Sequence, residues 1–189
     1  MADKANPAAL GLVGFGLTTV LLSAVNAGLL PAHGEAVVLP LALAFGGTAQ
    51  VIAGIMEFMT GNTFGTTAFI SYGAFWWWFA SLVFLGGNKL LDLSGADSAI
   101  GFALVLWGVF TFGLWVATFY LTRLLFCIFL TLWIAFFLLG FGAMLGNPML
   151  HQLGGWVGLL CGAMAMYGSF AIVTNTTVGR EIVPVGSRK

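Results

Sequence analysis

Six long apolar stretches, separated by short polar breaks, dominate this sequence of 189 residues. A helix needs about 20 mostly apolar residues to cross the hydrocarbon core of a bilayer, because in lipid its backbone must satisfy its own hydrogen bonds. The six stretches reach that length, and they occupy residues 10–30, 37–59, 66–85, 99–120, 124–145 and 153–173. The pattern predicts an all-α integral membrane protein, with one six-helix transmembrane domain over residues 1–189 and short polar tails.

The charge content excludes several classes of soluble protein. Only 6% of the residues are charged, whereas an ordinary soluble domain carries about a quarter. Six basic and six acidic residues leave no net charge, so the chain lacks the basic face that nucleic-acid binding requires. It also has no GxxxxGK[ST] segment for nucleotide hydrolysis.

Residues that could carry catalysis or hold a cofactor are scarce. The two histidines, His33 and His151, are predicted in loops, which disfavours a haem held between helices. Cys127 and Cys161 lie inside apolar stretches and are interpreted as small buried hydrophobic residues. No His, Cys and carboxylate cluster has metal-ligand spacing, and no nucleophile has a base beside it. The sequence therefore predicts neither an enzyme nor a cofactor.

The distribution of basic residues sets the expected orientation. Lys and Arg accumulate in short cytoplasmic loops of membrane proteins. With the N-terminus inside, Lys89 alone is external, and five basic residues are internal: Lys4, Arg123, Arg180, Arg188 and Lys189. We therefore expect both termini to be cytoplasmic, in a multi-pass protein of the inner or plasma membrane.

Glycines recur at four-residue spacing in the last two spans. They are Gly142 and Gly146 in the fifth span, and Gly154, Gly158 and Gly162 in the sixth. Small residues let helix backbones approach closely in lipid. We expect these glycines to face protein, mainly within the chain, although contacts between copies fit the same pattern.

Several polar side chains lie inside the apolar spans and are candidates to line a path for a small solute. A fixed cation would hold an anion too tightly to release it, so neutral hydroxyl and amide groups suit such a path. The alternative is that the hydroxyls bond the backbone of their own helix. The candidates are Thr18, Thr19, Gln50, Thr67, Ser71 and Thr111.

Two Asn-containing pairs predict helix starts. In Asn6-Pro7, Asn is a preferred N-cap and Pro fits the first helical turn. Asn62-Thr63 is expected to begin the third span in the same way. The positive dipole ends of both helices would then face the cytoplasmic side, where they could attract anions. The alternative is that the two Asn residues only cap their helices.

Glu57 is the one charged residue predicted inside a span. An ionised carboxylate at mid-bilayer costs about 2.5–3.5 kcal/mol on insertion scales. One interpretation is structural, with the carboxylate reaching headgroup water or pairing with Arg123. The other gives it a gating or proton-linked role.

Several stretches together resemble the acetate uptake transporter family, also called the succinate-acetate permeases. The segment from Asn6 to Leu12, NPAALGL, is similar to the family signature NPAPLGL and includes Leu10, but has Ala9 where the signature has proline. The segments GGTAQVIAG at 46–54, GNTFG at 61–65, SYG at 71–73 and WGVFT at 107–111 follow in family order. The resemblance covers nearly the whole chain.

The resemblance implies a six-helix protomer in a ring-shaped homohexamer, each protomer having its own path for acetate and, in some members, succinate. It also implies an apolar narrowing at Phe15, Tyr72 and Leu132. An anion channel and a proton-coupled carrier both fit, and the lipid bilayer and a small monocarboxylate are the expected partners. The alternatives are a non-transporting membrane sensor or assembly subunit, or a channel for another small solute.

Overall fold

The computed structural model describes residues 5–187 and is all-helical over that range. We number its α-helices in chain order: α1 (Ala8–Asn26), α2 (Glu35–Leu41), α3 (Gln50–Thr60), α4 (Thr63–Gly87), α5 (Asp97–Ala117), α6 (Arg123–Met144) and α7 (Pro148–Val178). Within residues 5–187, six helical stretches are long and apolar enough to cross a membrane, the second being the composite Ala32–Thr60. This confirms the predicted fold class.

The second span is not a uniform α-helix. A 3-10 turn (Ala32–Gly34) leads into α2, and a π-helical segment (Ala42–Ala49) joins α2 to α3. Pro40 lies inside α2 and has no N–H to donate. The Thr48 hydroxyl donates to the Leu43 carbonyl, five residues back, at 2.8 Å. Long π-helical runs are rare and often lie at functional sites; this one ends directly before Gln50.

Several span ends differ from the prediction, and two of them have identifiable local reasons. The first helix stops at Asn26 rather than residue 30, because Gly28 takes a left-handed conformation (φ +77°) and Leu29 N–H turns back to the Ala24 carbonyl. The last helix begins at Pro148, where Asn147 Oδ1 accepts the N–H groups of the first turn. His151, predicted in a loop, therefore lies in α7, and that prediction is wrong.

Close contacts between glycine backbones hold neighbouring helices together. A Cβ atom at Gly16 would lie 2.8 Å from the Gly162 carbonyl oxygen, and one at Gly162 the same distance from the Gly16 carbonyl oxygen, so α1 and α7 meet there without side chains between them. Gly101 and Gly140 pair reciprocally between α5 and α6. Small residues at such crossings are typical of membrane helices.

Four of the five glycines singled out in the sequence make helix contacts within the chain. Gly154 packs against Leu139, Gly158 against Ser23, Gly162 against Gly16, and Gly142 against the backbone of His151. Gly146 instead has φ +58° in the turn between α6 and α7.

The core of the bundle takes its large aromatic side chains from α1, α4 and α6, including Phe15, Phe75 and Phe136. The second span and α7 add small and aliphatic residues to it, among them Val38 and Cys161. The outward side of α5 is covered with exposed apolar side chains such as Leu106 and Val109. A surface of this kind suits contact with lipid, as expected of a membrane-spanning protein.

Candidate functional site

Two cavities open at opposite ends of the bundle and are separated by a narrow region at its centre. The lower cavity, about 340 Å³, lies at the end that carries both Asn6 and Val185. The upper cavity, about 520 Å³, lies at the end that carries Asn26 and His151. Between them is a void of only about 20 Å³, which we call the neck.

The three spaces line up because the same helix faces line all of them. On α1 the lining positions are 8, 12, 15, 22, 25 and 26, and on α6 they include 125, 129, 132, 136, 139 and 143. Steps of three, four and seven residues keep side chains on one face of a helix. On α6 this face lines all three spaces without a break, and on α1 the same face lines them with a gap of two turns between Phe15 and Leu22.

The neck brings together Phe15, Tyr72 and Leu132, the positions that the resemblance implied for an apolar narrowing. They come from α1, α4 and α6, and their exposed fractions are 6%, 3% and 6%. The Phe15 and Tyr72 ring centroids are 5.8 Å apart. The remaining lining is apolar except for one amide, that of Gln50.

Two of the polar candidates have an oxygen without a partner. Gln50 is 1% exposed and lines the neck, and its Oε1 has no hydrogen-bond partner within residues 5–187. Thr19 is buried and its Oγ1 is likewise unpaired. Thr19 follows Phe15 by four residues, between the neck and the upper-cavity position Leu22. Gln50 therefore presents an amide to the neck, whereas Thr19 lines neither the neck nor either cavity.

The other polar candidates are bonded or lie off the path. The Thr18 hydroxyl donates to the Gly14 carbonyl at 2.8 Å, and the Thr111 hydroxyl donates to the Trp107 carbonyl at 2.7 Å. For these two the alternative of backbone bonding describes the structure. Thr67 and Ser71 are half-buried and line neither the neck nor either cavity.

The predicted helix starts lie at the lower cavity. Asn6 Oδ1 accepts the Ala8 N–H at 3.0 Å, with Pro7 directly before α1, and Asn62 Oδ1 accepts the Gly65 N–H at 3.0 Å, with Thr63 as the first residue of α4. Both Asn residues line the cavity. Leu10 faces the core instead.

Glu57 lies at the junction of α3 and α4, next to the lower cavity. It is 2% exposed, and its Oε2 accepts from Asn62 Nδ2 at 2.8 Å. The Thr60 hydroxyl donates to the Glu57 backbone carbonyl at 2.8 Å and lies 3.4 Å from Oε2. Oε1 has no partner in the described part of the chain. The expectation that Glu57 reaches headgroup water or pairs with Arg123 is wrong, because the loop between the two helices folds its own donors over the carboxylate.

Sequence reasoning missed features at both cavities. In the upper cavity, His151 Nε2 lies 3.3 Å from Asn26 Oδ1 and links α7 to α1. In the lower cavity, Val185 contributes to the lining from the segment after α7. The polar composition of that segment predicted only a tail, and its contacts depend on residues far away in the sequence.

Comparison with known proteins identifies the family and relatives of this chain. The model of the GPR1/FUN34/yaaH family matches residues 2–185. The chain belongs to this family. The succinate-acetate/proton symporter SatP of Escherichia coli K12 is 41% identical over 182 residues, which cover 96% of this chain and 95% of that protein. Acetate permease A of Emericella nidulans is 38% identical over 195 residues, covering 96% and 65% respectively.

A solved member of the family has the same fold. The structure of the bacterial acetate channel SatP superposes with a TM-score of 0.93 at 40% identity, covering 97% of this chain and all of that one. These relatives are named as transporters and a channel, not as enzymes. The chain is a multi-pass membrane protein of this transporter family.

Proposed function

We propose that this protein carries acetate and related small carboxylates, succinate among them, across the cell membrane through the path formed by the lower cavity, the neck and the upper cavity. The observation that carries the proposal is the neck itself. It lies between the two cavities and shares lining residues with the lower one, and its lining is apolar apart from the neutral amide of Gln50 and the hydroxyl of Tyr72, which is bonded to Thr111. Relatives named for acetate and succinate transport support the choice of solute.

The lining chemistry fits passage of a weakly held carboxylate. An apolar constriction formed by Phe15, Tyr72 and Leu132 resists wetting and so limits leak of water and ions. The Gln50 side chain carries amide donors that can bond a carboxylate without neutralising it. Acetate would thus meet a neutral amide in the neck rather than a trapping cation.

The lower end of the bundle suits the role of cytoplasmic mouth. Arg123 and Arg180 are exposed at this end, and the positive-inside rule places such residues in the cytoplasm. The N-terminal ends of α1, α4 and α6 lie around the lower cavity, and their dipoles attract anions to it.

A ring-shaped homohexamer with one path in each protomer completes the proposal. This chain supplies lining for the lower cavity, the neck and the upper cavity, which is what a separate path in each protomer requires. The exposed apolar face of α5 offers surface for a neighbouring copy or for lipid.

Glu57 is the group best placed to couple a proton to transport. Its carboxylate is buried with one oxygen unpaired, and it packs against Gly65, which lines the lower cavity. Relatives are named both as a proton symporter and as a channel, and the presence or absence of this coupling is what separates the two mechanisms.

The test is uptake of labelled acetate by proteoliposomes holding this protein alone, measured against empty liposomes with and without an imposed proton gradient. We expect flux above the empty liposomes, reduced by unlabelled succinate. Gln50→Leu should lower the flux about tenfold, by removing the amide in the neck. Asn88→Leu is the matched control, because the Asn88 amide is exposed and bonds only the Phe84 carbonyl one turn back. Flux no greater than in empty liposomes would favour a sensor, an assembly subunit or a channel for another solute.

A further inference from the structure

The segment after α7 folds back against the lower end of the bundle. α7 ends at Val178, and Gly179 reverses the chain with φ +75°. Residues 180–187, which we call the strap, then run beside the start of α6. Along the strap, Val183 and Val185 are half-buried while Pro184 between them is exposed, so alternate side chains face the protein as in an extended strand.

The strap satisfies backbone groups of α6 that its own helix cannot satisfy. The first turn of a helix leaves N–H groups without intrahelical acceptors. In α6, Arg123 N–H donates to the Gly186 carbonyl at 2.9 Å and Leu124 N–H to the Val185 carbonyl at 3.2 Å. The Leu125 N–H donates to Thr122 Oγ1 at 3.2 Å. The strap therefore completes the cap of α6.

Two side chains of α7 fix the strap from its other edge. Asn175 Oδ1 accepts the N–H groups of Ile182 and Val183, both at 2.9 Å, and its Nδ2 donates to the Val183 carbonyl at 2.9 Å. The Tyr167 hydroxyl donates to the Pro184 carbonyl at 2.8 Å. An Asn that makes three hydrogen bonds to one segment holds its position closely.

The consequence for the path is the placement of Val185. Val185 lines the lower cavity together with Asn6, Asn62 and Thr122. One part of the wall at this end of the path is therefore non-helical chain held by side-chain hydrogen bonds, whereas α1, α4, α6 and α7 and their capping residues supply the rest.

We propose that the strap, through Val185, forms the part of the lower-cavity wall that sets the size of carboxylate admitted, with Asn175 as the positioning residue that holds Val185 in the lining. This inference rests on the proposed transport function for its selectivity, but not for its geometry. Release of the strap should widen the lower cavity while the neck stays unchanged. The flux of larger monocarboxylates should then increase more than the flux of acetate.

The first experiment measures the width of the cavity without any transport. Ala8, a small lining residue, is replaced by Cys in a chain that also carries Cys127→Ala and Cys161→Ala, and its labelling in proteoliposomes is timed with a small and a bulky methanethiosulfonate reagent. With Asn175→Ala added, we expect the bulky reagent to react about threefold faster or more, because the bonds that hold the wall are lost. The small reagent should change little. Equal labelling rates with and without Asn175→Ala would overturn the proposal.

The second experiment compares acetate with the larger lactate in flux assays on the Asn175→Ala and Tyr167→Phe variants. We expect the ratio of lactate to acetate flux to rise about threefold in Asn175→Ala and less in Tyr167→Phe, which removes one hydrogen bond rather than three. Thr177→Val is the matched control, because the Thr177 hydroxyl bonds only the Val173 carbonyl of its own helix.

The outcomes separate this inference from the proposed function. An unchanged flux ratio together with unchanged labelling would remove the strap from selectivity. Absence of acetate flux in the parent protein, with faster bulky labelling in Asn175→Ala, would overturn the transport proposal and keep the strap as the wall of the cavity. A rise of the ratio in the Thr177→Val control as large as in Asn175→Ala would also contradict the assignment of Asn175.

Discussion

The Tyr72 hydroxyl donates a hydrogen bond across the bundle to Thr111 Oγ1 at 2.9 Å. Thr111 in turn donates to the Trp107 carbonyl. This chain of bonds ties the ring in the neck to α5, a helix that otherwise touches α4 little. It also commits the Tyr72 proton to Thr111, so the hydroxyl does not donate into the neck while this bond is intact.

The first prediction concerns this bond. Thr111→Val keeps the side-chain shape and removes the acceptor, which leaves the buried Tyr72 hydroxyl unpaired. We expect a loss of about 1–3 kcal/mol of stability, seen as a lower melting temperature in detergent. Acetate flux should rise, because the ring that narrows the neck is no longer held by α5. Thr111→Ser retains a hydroxyl and should behave close to the parent; equal effects of Ser and Val would contradict this account.

The second prediction addresses the apolar narrowing. Phe15 and Leu132 line the neck, whose void is only about 20 Å³. Replacing either by Ala widens this constriction, so we expect each variant to increase the leak of solutes larger than acetate. Liposomes loaded with a polar fluorescent dye would report the leak. Phe112→Ala is the matched control, because Phe112 is exposed on the outer face of α5 at 43%. Three variants with the same leak would argue against a gate at the neck.

The long apolar runs and the small-residue spacing were sufficient to predict the six helices and their internal glycine contacts. Span lengths and helix packing depend on local composition, so a single sequence carries that information. The prediction that Phe15, Tyr72 and Leu132 lie together depended on the family resemblance. The three residues are on separate helices, and no local sequence pattern shows that they meet.

The features that were missed arise from tertiary context. Nothing in the composition of residues 180–187 shows that Asn175 and the start of α6 will bind them. The partner of Glu57 was mispredicted because opposite charge pointed to Arg123, whereas the tight connection between α3 and α4 supplies a nearer donor in Asn62. The end of α1 was mispredicted because Leu29 and Leu30 continue the apolar run after the backbone has already turned at Gly28.

The third prediction tests Glu57 as the proton-linked group. Glu57→Gln keeps a carbonyl oxygen that can accept from Asn62 Nδ2, so the fold should persist, but the side chain no longer takes up a proton. We expect accumulation of acetate driven by a proton gradient to be lost while downhill flux remains. The measurement is labelled acetate uptake with and without the gradient. Asp92→Asn, in an exposed loop and bonded to Ser94, is the control; gradient dependence that survives in Glu57→Gln would remove Glu57 from the mechanism.

The last prediction compares two glycines in the middle of helices. A Cβ atom at Gly16 would lie 2.8 Å from the Gly162 carbonyl oxygen, whereas one at Gly113 would meet nothing within 4 Å. Gly16→Ala must therefore push α1 away from α7, and the backbone oxygen that it meets cannot rotate aside as a side chain would. We expect Gly16→Ala to lose about 1–3 kcal/mol of stability through overpacking, and more through the loss of contacts between the two helices.

Gly113→Ala should be neutral or stabilising by about 0.5–1 kcal/mol, because Ala restricts the unfolded backbone and favours helix. Both effects are read from melting temperatures in the same detergent. Equal melting temperatures would show that α1 and α7 do not depend on the Gly16–Gly162 crossing.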